Sequence, residues 1–200
     1  MIHDYTKNII SELNCDVWIE TGIGDGYGGS IYKIHNWFPE IIQYEVEISQ
    51  KNVDVVISEN LPKKFIIEQG NSPGFLKKHI NDISKYTLPI FFLDANTNHG
   101  PDYWPLRDEL NVILDLPKCV IVIDDFKHPS KPFNYDSHYG TETKPPIPND
   151  LNHIKDLLKT AKIKSVYHCK ESAMSNMGVV FIFKGIVYNN DNFFDEERVN

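Results

Sequence analysis

The residues best suited to chemistry lie near the N-terminus, where an acid precedes a run of glycines. The segment reads Val17-Trp-Ile-Glu-Thr-Gly-Ile-Gly-Asp-Gly-Tyr-Gly-Gly-Ser30. Its apolar start predicts a strand ending at Glu20, and the glycines predict a tight turn before a helix that begins near Ser30. Glycine lets a ligand approach the backbone closely, and a helix N-terminus offers unpaired N–H groups. We therefore expect a polar or anionic ligand here, and Glu20 indicates that this ligand also carries a donor or a positive charge.

Glycine spacing alone leaves the class of ligand open. Gly24-Asp-Gly26-Tyr-Gly28-Gly29 fits the G-x-G-x-x-G fingerprint of dinucleotide-binding proteins. Glu20-Thr-Gly22-Ile-Gly24-Asp-Gly26 fits equally well the acid-x-G-x-G-x-G loop of S-adenosylmethionine (SAM) methyltransferases. A glycine-rich turn without a ligand is the third interpretation. Patterns in the rest of the chain distinguish among these three interpretations.

The bulk composition predicts one globular domain over residues 1–200, long enough for a substantial core. No apolar run approaches the ~20 residues of a membrane span, and no signal peptide is evident. The three cysteines are widely spaced and fit neither a zinc site nor a disulfide framework. We expect a cytoplasmic protein without a membrane partner. The net charge of −8 also argues against a nucleic-acid partner, which would require a basic patch.

Strand and helix patterns alternate along the whole chain, which predicts a parallel sheet flanked by helices. The first five predicted strands are 16–20, 41–47, 64–69, 88–94 and 119–124. The stretch 126–148 is rich in Pro, His and aromatic residues and has no periodicity, so we expect a lid or substrate loop there. The acidic end, 189–200, shows no pattern and is predicted to be a flexible tail.

The last two predicted strands distinguish between the ligand classes. Residues 163–169 and 178–184 both read as strands, and about eight residues separate them. A parallel crossover needs a dozen or more residues, so the last strand must run antiparallel. Six strands of parallel type with one antiparallel last strand match the sheet of SAM methyltransferases rather than that of NAD-binding proteins. The expected fold is a three-layer, Rossmann-like α/β domain with a seven-stranded, mostly parallel sheet and helices on both faces.

Several short motifs at the ends of the predicted strands carry a more specific likeness. They are Ile19-Glu-Thr-Gly-Ile-Gly-Asp-Gly26, Val46-Glu-Ile-Ser49, Gly70-Asn-Ser72, Phe92-Leu-Asp-Ala-Asn96 and Val122-Ile-Asp-Asp-Phe126. Their order and spacing resemble class I SAM-dependent methyltransferases. More narrowly, the chain resembles the macrocin-type sugar O-methyltransferases and the catechol-type metal-dependent enzymes. The resemblance covers about residues 17–126 by motif and extends to residue 184 by topology.

The resemblance implies a cofactor site for SAM. Its residues would be Glu20, Gly22, Gly24, Gly26, Glu47, Asn71, Ser72 and Asp94. Glu20 and the glycines would hold the methionine part, and Glu47 would accept hydrogen bonds from the ribose diol. Glu45 has the same strand parity as Glu47 and competes for that role. Asn71 stands where the family usually has an Asp near the adenine, and its amide can still bond the exocyclic amine.

Three acids match those that bind a divalent ion in the metal-dependent branch of the resembled family. They are Asp94, Asp124 and Asp125, and carboxylates with water and substrate oxygens suit Mg²⁺. Such an ion would chelate two substrate oxygens and favour the alkoxide or phenolate that attacks the methyl group. The alternative is that Asp124 and Asp125 only cap the end of the sheet.

The chain departs from the resembled sugar enzymes at one position. These enzymes usually carry a second acid two places after the fourth-strand Asp, where this chain has Asn96, and an amide cannot accept a proton. Besides Asp94, His99 is therefore our first choice of catalytic residue, because it lies in the same loop and titrates near neutrality. Asp102 and His128 are the other candidates for a general base.

The function expected from these observations is methyl transfer from SAM to an oxygen of a small molecule such as a sugar or polyol, with or without Mg²⁺. A SAM-fold binding protein without turnover is the alternative that Asn96 keeps open. A nucleotide-dependent oxidoreductase is disfavoured by the closing hairpin. The expected partners are the small-molecule acceptor and a second copy of the chain as a homo-oligomer.

Overall fold

The computed structural model describes residues 4–24, 29–58, 64–95, 104–138, 146–188 and 191–200. The strands are β1 (Val17–Thr21), β2 (Ile42–Glu47), β3 (Phe65–Gln69), β4 (Pro89–Leu93), β5 (Cys119–Ile123), β6 (Ser137–His138), β7 (Ile147–Pro148), β8 (Ser165–Cys169), β9 (Val180–Lys184) and β10 (Phe194–Arg198). The α-helices are α1 (Asp4–Leu13), α2 (Gly29–Trp37), α3 (Gln50–Ser58), α4 (Ser72–Ile83), α5 (Leu106–Ile113) and α6 (Leu151–Thr160). Each of the seven predicted strands lies within about two residues of its predicted position.

The main sheet has eight strands in the order β10-β8-β9-β5-β4-β1-β2-β3. Strands β1 to β5 pair in parallel, whereas β9 is antiparallel to both of its neighbours, β5 and β8. The predicted mostly parallel α/β sheet with an antiparallel hairpin strand is therefore confirmed, but the predicted count of seven strands is wrong, because the sheet has eight. Strand β9, the second strand of this hairpin, does not lie at the edge of the sheet, because it pairs with both β5 and β8. The short strands β6 and β7 form a separate pair within the predicted loop 126–148.

The prediction of a flexible tail is wrong for its central residues, which form the eighth strand of the sheet. Strand β10 pairs antiparallel with β8 and places Phe194 opposite Cys169. Phe194 is 5% exposed and packs against Phe181 and Tyr188, with ring centroids 5.1 and 6.2 Å away. A single buried aromatic ring followed by charged residues gives no periodic signal, so the strand is apparent only once its neighbours are in place.

The sheet lies between two helical layers, as its strands buried on both faces require. Helices α4, α5 and α6 cover one face, where Leu76, Leu110 and Ile154 are fully buried. Helices α1 and α2 cover the other face, where Ile9 and Ile34 belong to the same apolar cluster as Trp18 and Phe92. This is the predicted three-layer arrangement. None of the helices within the described ranges is both long and apolar enough to cross a membrane.

Candidate functional site

The ends of β1, β2 and β4 meet at Gly22. The Gly22 N–H donates to the Val46 carbonyl at 2.9 Å, and the Asp94 N–H donates to the Thr21 carbonyl at 2.9 Å. A Cβ on Gly22 would lie 2.5 Å from the Asp94 carbonyl oxygen and 2.8 Å from the Cα of Ala95. Gly22 also has a φ of 82°. Both its conformation and the close backbone approach require glycine, so the structure brings the predicted residues Gly22 and Asp94 together.

Gly24 is the second glycine of the loop in the described part of the chain. It also has a positive φ, 71°, but no atom of the described residues lies within 4 Å of the position that its Cβ would occupy. Its carbonyl oxygen accepts a hydrogen bond from Nδ2 of Asn52 on α3. The need for glycine at this position is therefore conformational, and the described residues leave the space beside it open. Gly26, the third predicted glycine of the site, lies outside the described residues.

Glu20 lies beneath this loop and is 1% exposed. Its Oε2 accepts a hydrogen bond from Nε1 of Trp18 at 3.2 Å, and its Oε1 accepts one from Oγ of Ser30 at the start of α2. Burial raises the pKa of Glu20 to about 7, although the hydrogen bonds from Ser30 and Trp18 oppose this shift. The carboxylate thus joins β1 to the helix that follows the loop. Its predicted contact with a ligand stays a prediction.

Two glutamates on the same face of β2 are both buried but differ in their hydrogen-bond partners. Glu47 ends the strand, and its Oε1 accepts a hydrogen bond from the N–H of Ser49 at 2.8 Å. Glu45 is 0% exposed and lies opposite Glu20 in the strand register. The strand-end position favours Glu47 over Glu45 as the residue that meets a ligand, because open α/β sheets bind ligands outside the carboxyl ends of their strands.

Asn71 and Ser72 lie at the start of α4, directly after β3. Asn71, rather than Ser72, is the N-cap, and its Oδ1 accepts a hydrogen bond from the N–H of Gly74 at 2.8 Å. Ser72 is buried. Asn71 is exposed and lies after β3, at the same edge of the sheet as Gly22 and Glu47. The cap occupies its carbonyl oxygen, which leaves the amide nitrogen as the group that would face a ligand.

Glu109 lies next to the site but was not predicted from the sequence. It lies on α5 and is 1% exposed. Burial raises the pKa of Glu109 to about 7, and the neighbouring hydroxyl groups of Ser72 and Thr21 act on it in the opposite direction. One signal could have revealed it, since Glu109 interrupts the apolar face formed by Leu106, Leu110 and Ile113.

A cluster of acids follows the neighbouring strands β4 and β5. Asp124 is 1% exposed, and its Oδ1 accepts a hydrogen bond from the N–H of Asp125 at 3.0 Å. Burial, followed by the charge of Asp124, raises the pKa of Asp94 well above its ordinary value. Burial and the charges of Asp124 and Asp136 raise the pKa of Asp125 to about 7. These acids therefore share one region of strongly negative potential.

Asn149 organises the backbone of this cluster and was not predicted to do so. Its fully buried Nδ2 donates to the carbonyl oxygens of Asp124 and Asp125, at 3.2 Å each. Its own N–H donates to the Asp136 carbonyl at 2.9 Å, and its carbonyl accepts from Lys127 at 2.7 Å. Asn149 therefore ties the end of β5 to the segment that contains β6 and β7.

The predicted metal site is not formed as a ligand set. Within the described ranges, no group of three or more His, Cys, Asp or Glu side chains could hold a metal ion. Asp94, Asp124 and Asp125 lie at adjacent strand ends, but their carboxylates do not converge on one point in this structure. The metal therefore stays a prediction.

The candidates for a general base have separate outcomes. His99, Asp102 and the departure at Asn96 all fall outside the described residues. His128 is 4% exposed, and its Nδ1 accepts hydrogen bonds from the backbone N–H groups of Ser130 and Lys131. Because its ring also packs 5.1 Å from that of His168, it is part of the protein interior rather than of an open site.

Known proteins resemble this chain in fold but not in sequence family. No family model matches the chain, and no curated protein matches it either. Among solved structures, the chain is similar to the precorrin 8W decarboxylase of Methanobacterium thermoautotrophicum, with a TM-score of 0.50, 12% identity, and coverage of 93% of this chain and 92% of that one. It is also similar to the precorrin-6y C5,15-methyltransferase of Geobacter metallireducens, with a TM-score of 0.51, 11% identity, and coverage of 92% and 88%.

A third similar structure is a Staphylococcus aureus protein assigned as a caffeoyl-CoA O-methyltransferase. Its TM-score is 0.53 at 10% identity, and the match covers 92% of this chain and 85% of that one. At such identities the likeness establishes a shared Rossmann-like α/β fold over nearly the whole chain. Which chemistry the fold supports must be argued from the residues of the site.

Proposed function

We propose that this protein is a SAM-dependent methyltransferase that transfers a methyl group to an oxygen of a small molecule. The main support for the proposal is the close contact between Gly22 and the backbone of Asp94, because it places a glycine where the ends of β1, β2 and β4 meet. Ligands of open α/β sheets bind at this edge. Two of the three similar structures described above are methyltransferases by name, which supports the same class of reaction.

The residues around Gly22 have the chemical character that the different parts of SAM require. The open space beside Gly24 would admit the methionine part, with the buried carboxylate of Glu20 below it offering negative charge to the ammonium group. Glu47 at the end of β2 would accept hydrogen bonds from the ribose hydroxyls. Asn71 and Ser72 would border the adenine. SAM, when bound there, supplies the methyl group in an activated form.

Asp94 is suited to act on the methyl acceptor. It is half-buried and follows β4 directly, beside Gly22. Burial and the charge of Asp124 raise the pKa of Asp94 well above its ordinary value, which makes its carboxylate a stronger base toward an acceptor hydroxyl group. His99, five positions further along the chain, is the second proposed base. An acceptor of small size fits the negative charge of this region better than a nucleic acid does.

Mg²⁺ is proposed as an optional participant. Asp94, Asp124 and Asp125 are oxygen donors of the type that Mg²⁺ prefers, but their side chains would have to turn toward one another to hold it. We therefore derive no catalytic step through a metal. Calorimetric titration with Mg²⁺ tests this point: Asp124→Ala should abolish binding if the three acids are ligands, and unchanged binding would exclude them.

A SAM-fold protein that binds its ligand without turnover is the second candidate function. The observation that favours it is Asn96, which stands where the resembled sugar enzymes usually have a second acid. A methylation assay against a panel of sugars, polyols and catechols separates the two candidates. Methyl transfer to any acceptor supports the enzyme, whereas tight SAM binding without transfer supports the binding protein.

We further propose a cytoplasmic location and self-association as a homo-oligomer.

The decisive experiment is calorimetry with S-adenosylhomocysteine and with NAD⁺, each in the presence and absence of Mg²⁺. We expect S-adenosylhomocysteine to bind and Glu47→Gln to weaken that binding at least tenfold. Glu40→Gln is the matched control, since Glu40 is an exposed acid paired with Lys64 at the opposite end of β2. Binding of NAD⁺ in place of S-adenosylhomocysteine would overturn the proposed function.

A further inference from the structure

Two buried glutamates face each other beneath the glycine loop. Glu20 on β1 and Glu45 on β2 are direct partners in the parallel register. They are 1% and 0% exposed. Buried carboxylates normally repel each other strongly in an environment of low dielectric constant. Their side-by-side placement needs a physical explanation.

The hydrogen bonds of the two carboxyl groups are unequal. Both oxygens of Glu20 accept hydrogen bonds, from Trp18 and from Ser30. Neither oxygen of Glu45 receives a hydrogen bond from a donor group in the described part of the chain. An ionised carboxylate without donors is very costly to bury. A protonated Glu45 removes this cost, because its O–H can donate to the carboxylate of Glu20.

The surroundings of Glu45 favour the protonated form. Glu20 is the titratable side chain that acts on it, and β3 places the apolar Ile67 opposite it in the register. Ile67 packs on a cluster that contains Ile31 of α2 and Val56 of α3. Burial, followed by the charge of Glu20, raises the pKa of Glu45 well above its ordinary value. The pair therefore favours one shared proton over the fully ionised form.

We infer that Glu45 is a positioning residue that shares one proton with Glu20, and that binding of a ligand ammonium group at the glycine loop releases this proton. The inference rests on the proposed function, since SAM and S-adenosylhomocysteine both carry such a group. On release, the O–H bond of Glu45 breaks and the proton passes to the solvent. The positive ligand then stabilises the ionised pair, because a nearby opposite charge favours the charged form.

The same pair explains how the loop is held before a ligand arrives. Glu45 fixes Glu20, and Glu20 in turn binds Ser30 on the first turn of α2, immediately after the loop. Two residues after Glu45, on the same face of β2, is Glu47, the proposed ribose partner. Glu45 thus connects the parts of the site proposed to bind the two ends of the ligand without contacting the ligand itself.

Proton release is measured by titrating S-adenosylhomocysteine calorimetrically at pH 7 in phosphate and in Tris, whose enthalpies of ionisation differ. The wild-type protein should release up to about one proton per ligand bound, as one shared proton allows. Glu45→Gln should bind within about threefold of wild type, because its amide still donates to Glu20, but it should lose the release. The ligand's own amino group contributes equally in both proteins and cancels in the difference.

Gln43→Met is the matched control. Gln43 is a fully buried polar residue on the same face of β2, and its amide atoms have no hydrogen-bond partner in the described ranges. We expect this variant to keep the wild-type proton release. Equal release from wild type and Glu45→Gln would overturn the inference, whereas absence of S-adenosylhomocysteine binding to the wild type would instead overturn the proposed function.

A measurement on the wild type alone covers the case in which Glu45→Gln does not fold. Infrared difference spectra of the protein with and without S-adenosylhomocysteine should show loss of the carbonyl stretch of a protonated carboxyl group on binding. A spectrum without that loss at pH 7 would contradict the inference.

Discussion

The side chain of Asn149 holds the backbone of Asp125 in a left-handed conformation. Asp125 has a φ of 53°, and its carbonyl oxygen accepts a hydrogen bond from Nδ2 of Asn149 at 3.2 Å. The same nitrogen binds the carbonyl of Asp124, so one amide positions two consecutive acids. Non-glycine residues with positive φ persist where the surrounding structure constrains them, and they cluster at functional sites.

Asn149→Ala should therefore destabilise the protein by about 2–3 kcal/mol, because it removes hydrogen bonds from the carbonyl groups of Asp124 and Asp125. The hydrogen bond to Asp124 is buried. Urea unfolding monitored by circular dichroism measures the change. Asn152→Ala is the control on the adjoining helix α6, since Asn152 is exposed, and it should cost less than about 0.5 kcal/mol. Equal effects of the two substitutions would mean that Asn149 does not constrain the turn.

Gly22→Ala should be more damaging than Gly24→Ala, although both glycines have positive φ. At Gly22 the new Cβ would clash with the backbone of Asp94, and we expect a loss of about 3 kcal/mol or more in the free energy of unfolding. At Gly24 the space is open, so only the left-handed backbone is penalised, by about 1–2 kcal/mol. Chemical denaturation of both variants checks this order, and the reverse order would contradict the close approach of β1 and β4.

Phe194→Ala should test whether β10 belongs to the stable fold. Removing a buried aromatic ring usually costs about 3–5 kcal/mol, so we expect a large drop in the thermal midpoint. Val187→Ala is the control from the preceding segment, because Val187 is 96% exposed and its truncation should change little. If Phe194→Ala were as stable as the control, β10 would not contribute to the core.

Glu109 should make the protein less stable as the pH rises. Its pKa is about 7 in the folded state and about 4.3 in an unfolded chain, so the folded state binds the proton more tightly. Its contribution is fully present below about pH 4 and is lost as the pH rises through about 7. The urea midpoint should therefore fall less steeply between pH 5 and 7.5 in Glu109→Gln than in wild type.

Glu40→Gln is the control for this pH dependence. A hydrogen bond from Lys64 and the charge of Lys64 lower the pKa of Glu40 below its ordinary value. Its contribution therefore changes only in more acidic solution. Between pH 5 and 7.5, Glu40→Gln should keep the wild-type slope. A wild-type slope in Glu109→Gln as well would show that Glu109 is not protonated in the folded protein.

The amino-acid sequence by itself determined seven strands of the main sheet, their alternation with helices and the position of the glycine loop. These features depend on neighbours along the chain: continuous apolar runs such as 119–123 predict buried strands, and Gly22 and Gly24 mark a turn that other residues disfavour. The short connection before β9 even determined that this strand runs antiparallel. The acids at the strand ends were likewise visible, because strand ends can be located from the same local patterns.

Only the tertiary structure decided which distant residues meet. Strand β10 becomes a strand because β8 offers hydrogen bonds and an aromatic cluster encloses Phe194. Glu45 differs from Glu47 because it lies opposite Glu20, and Asn149 acts on Asp125 across 24 positions of sequence. Local periodicity carries no information about such pairs, since burial and shared protons arise from contacts between elements that are remote in the chain.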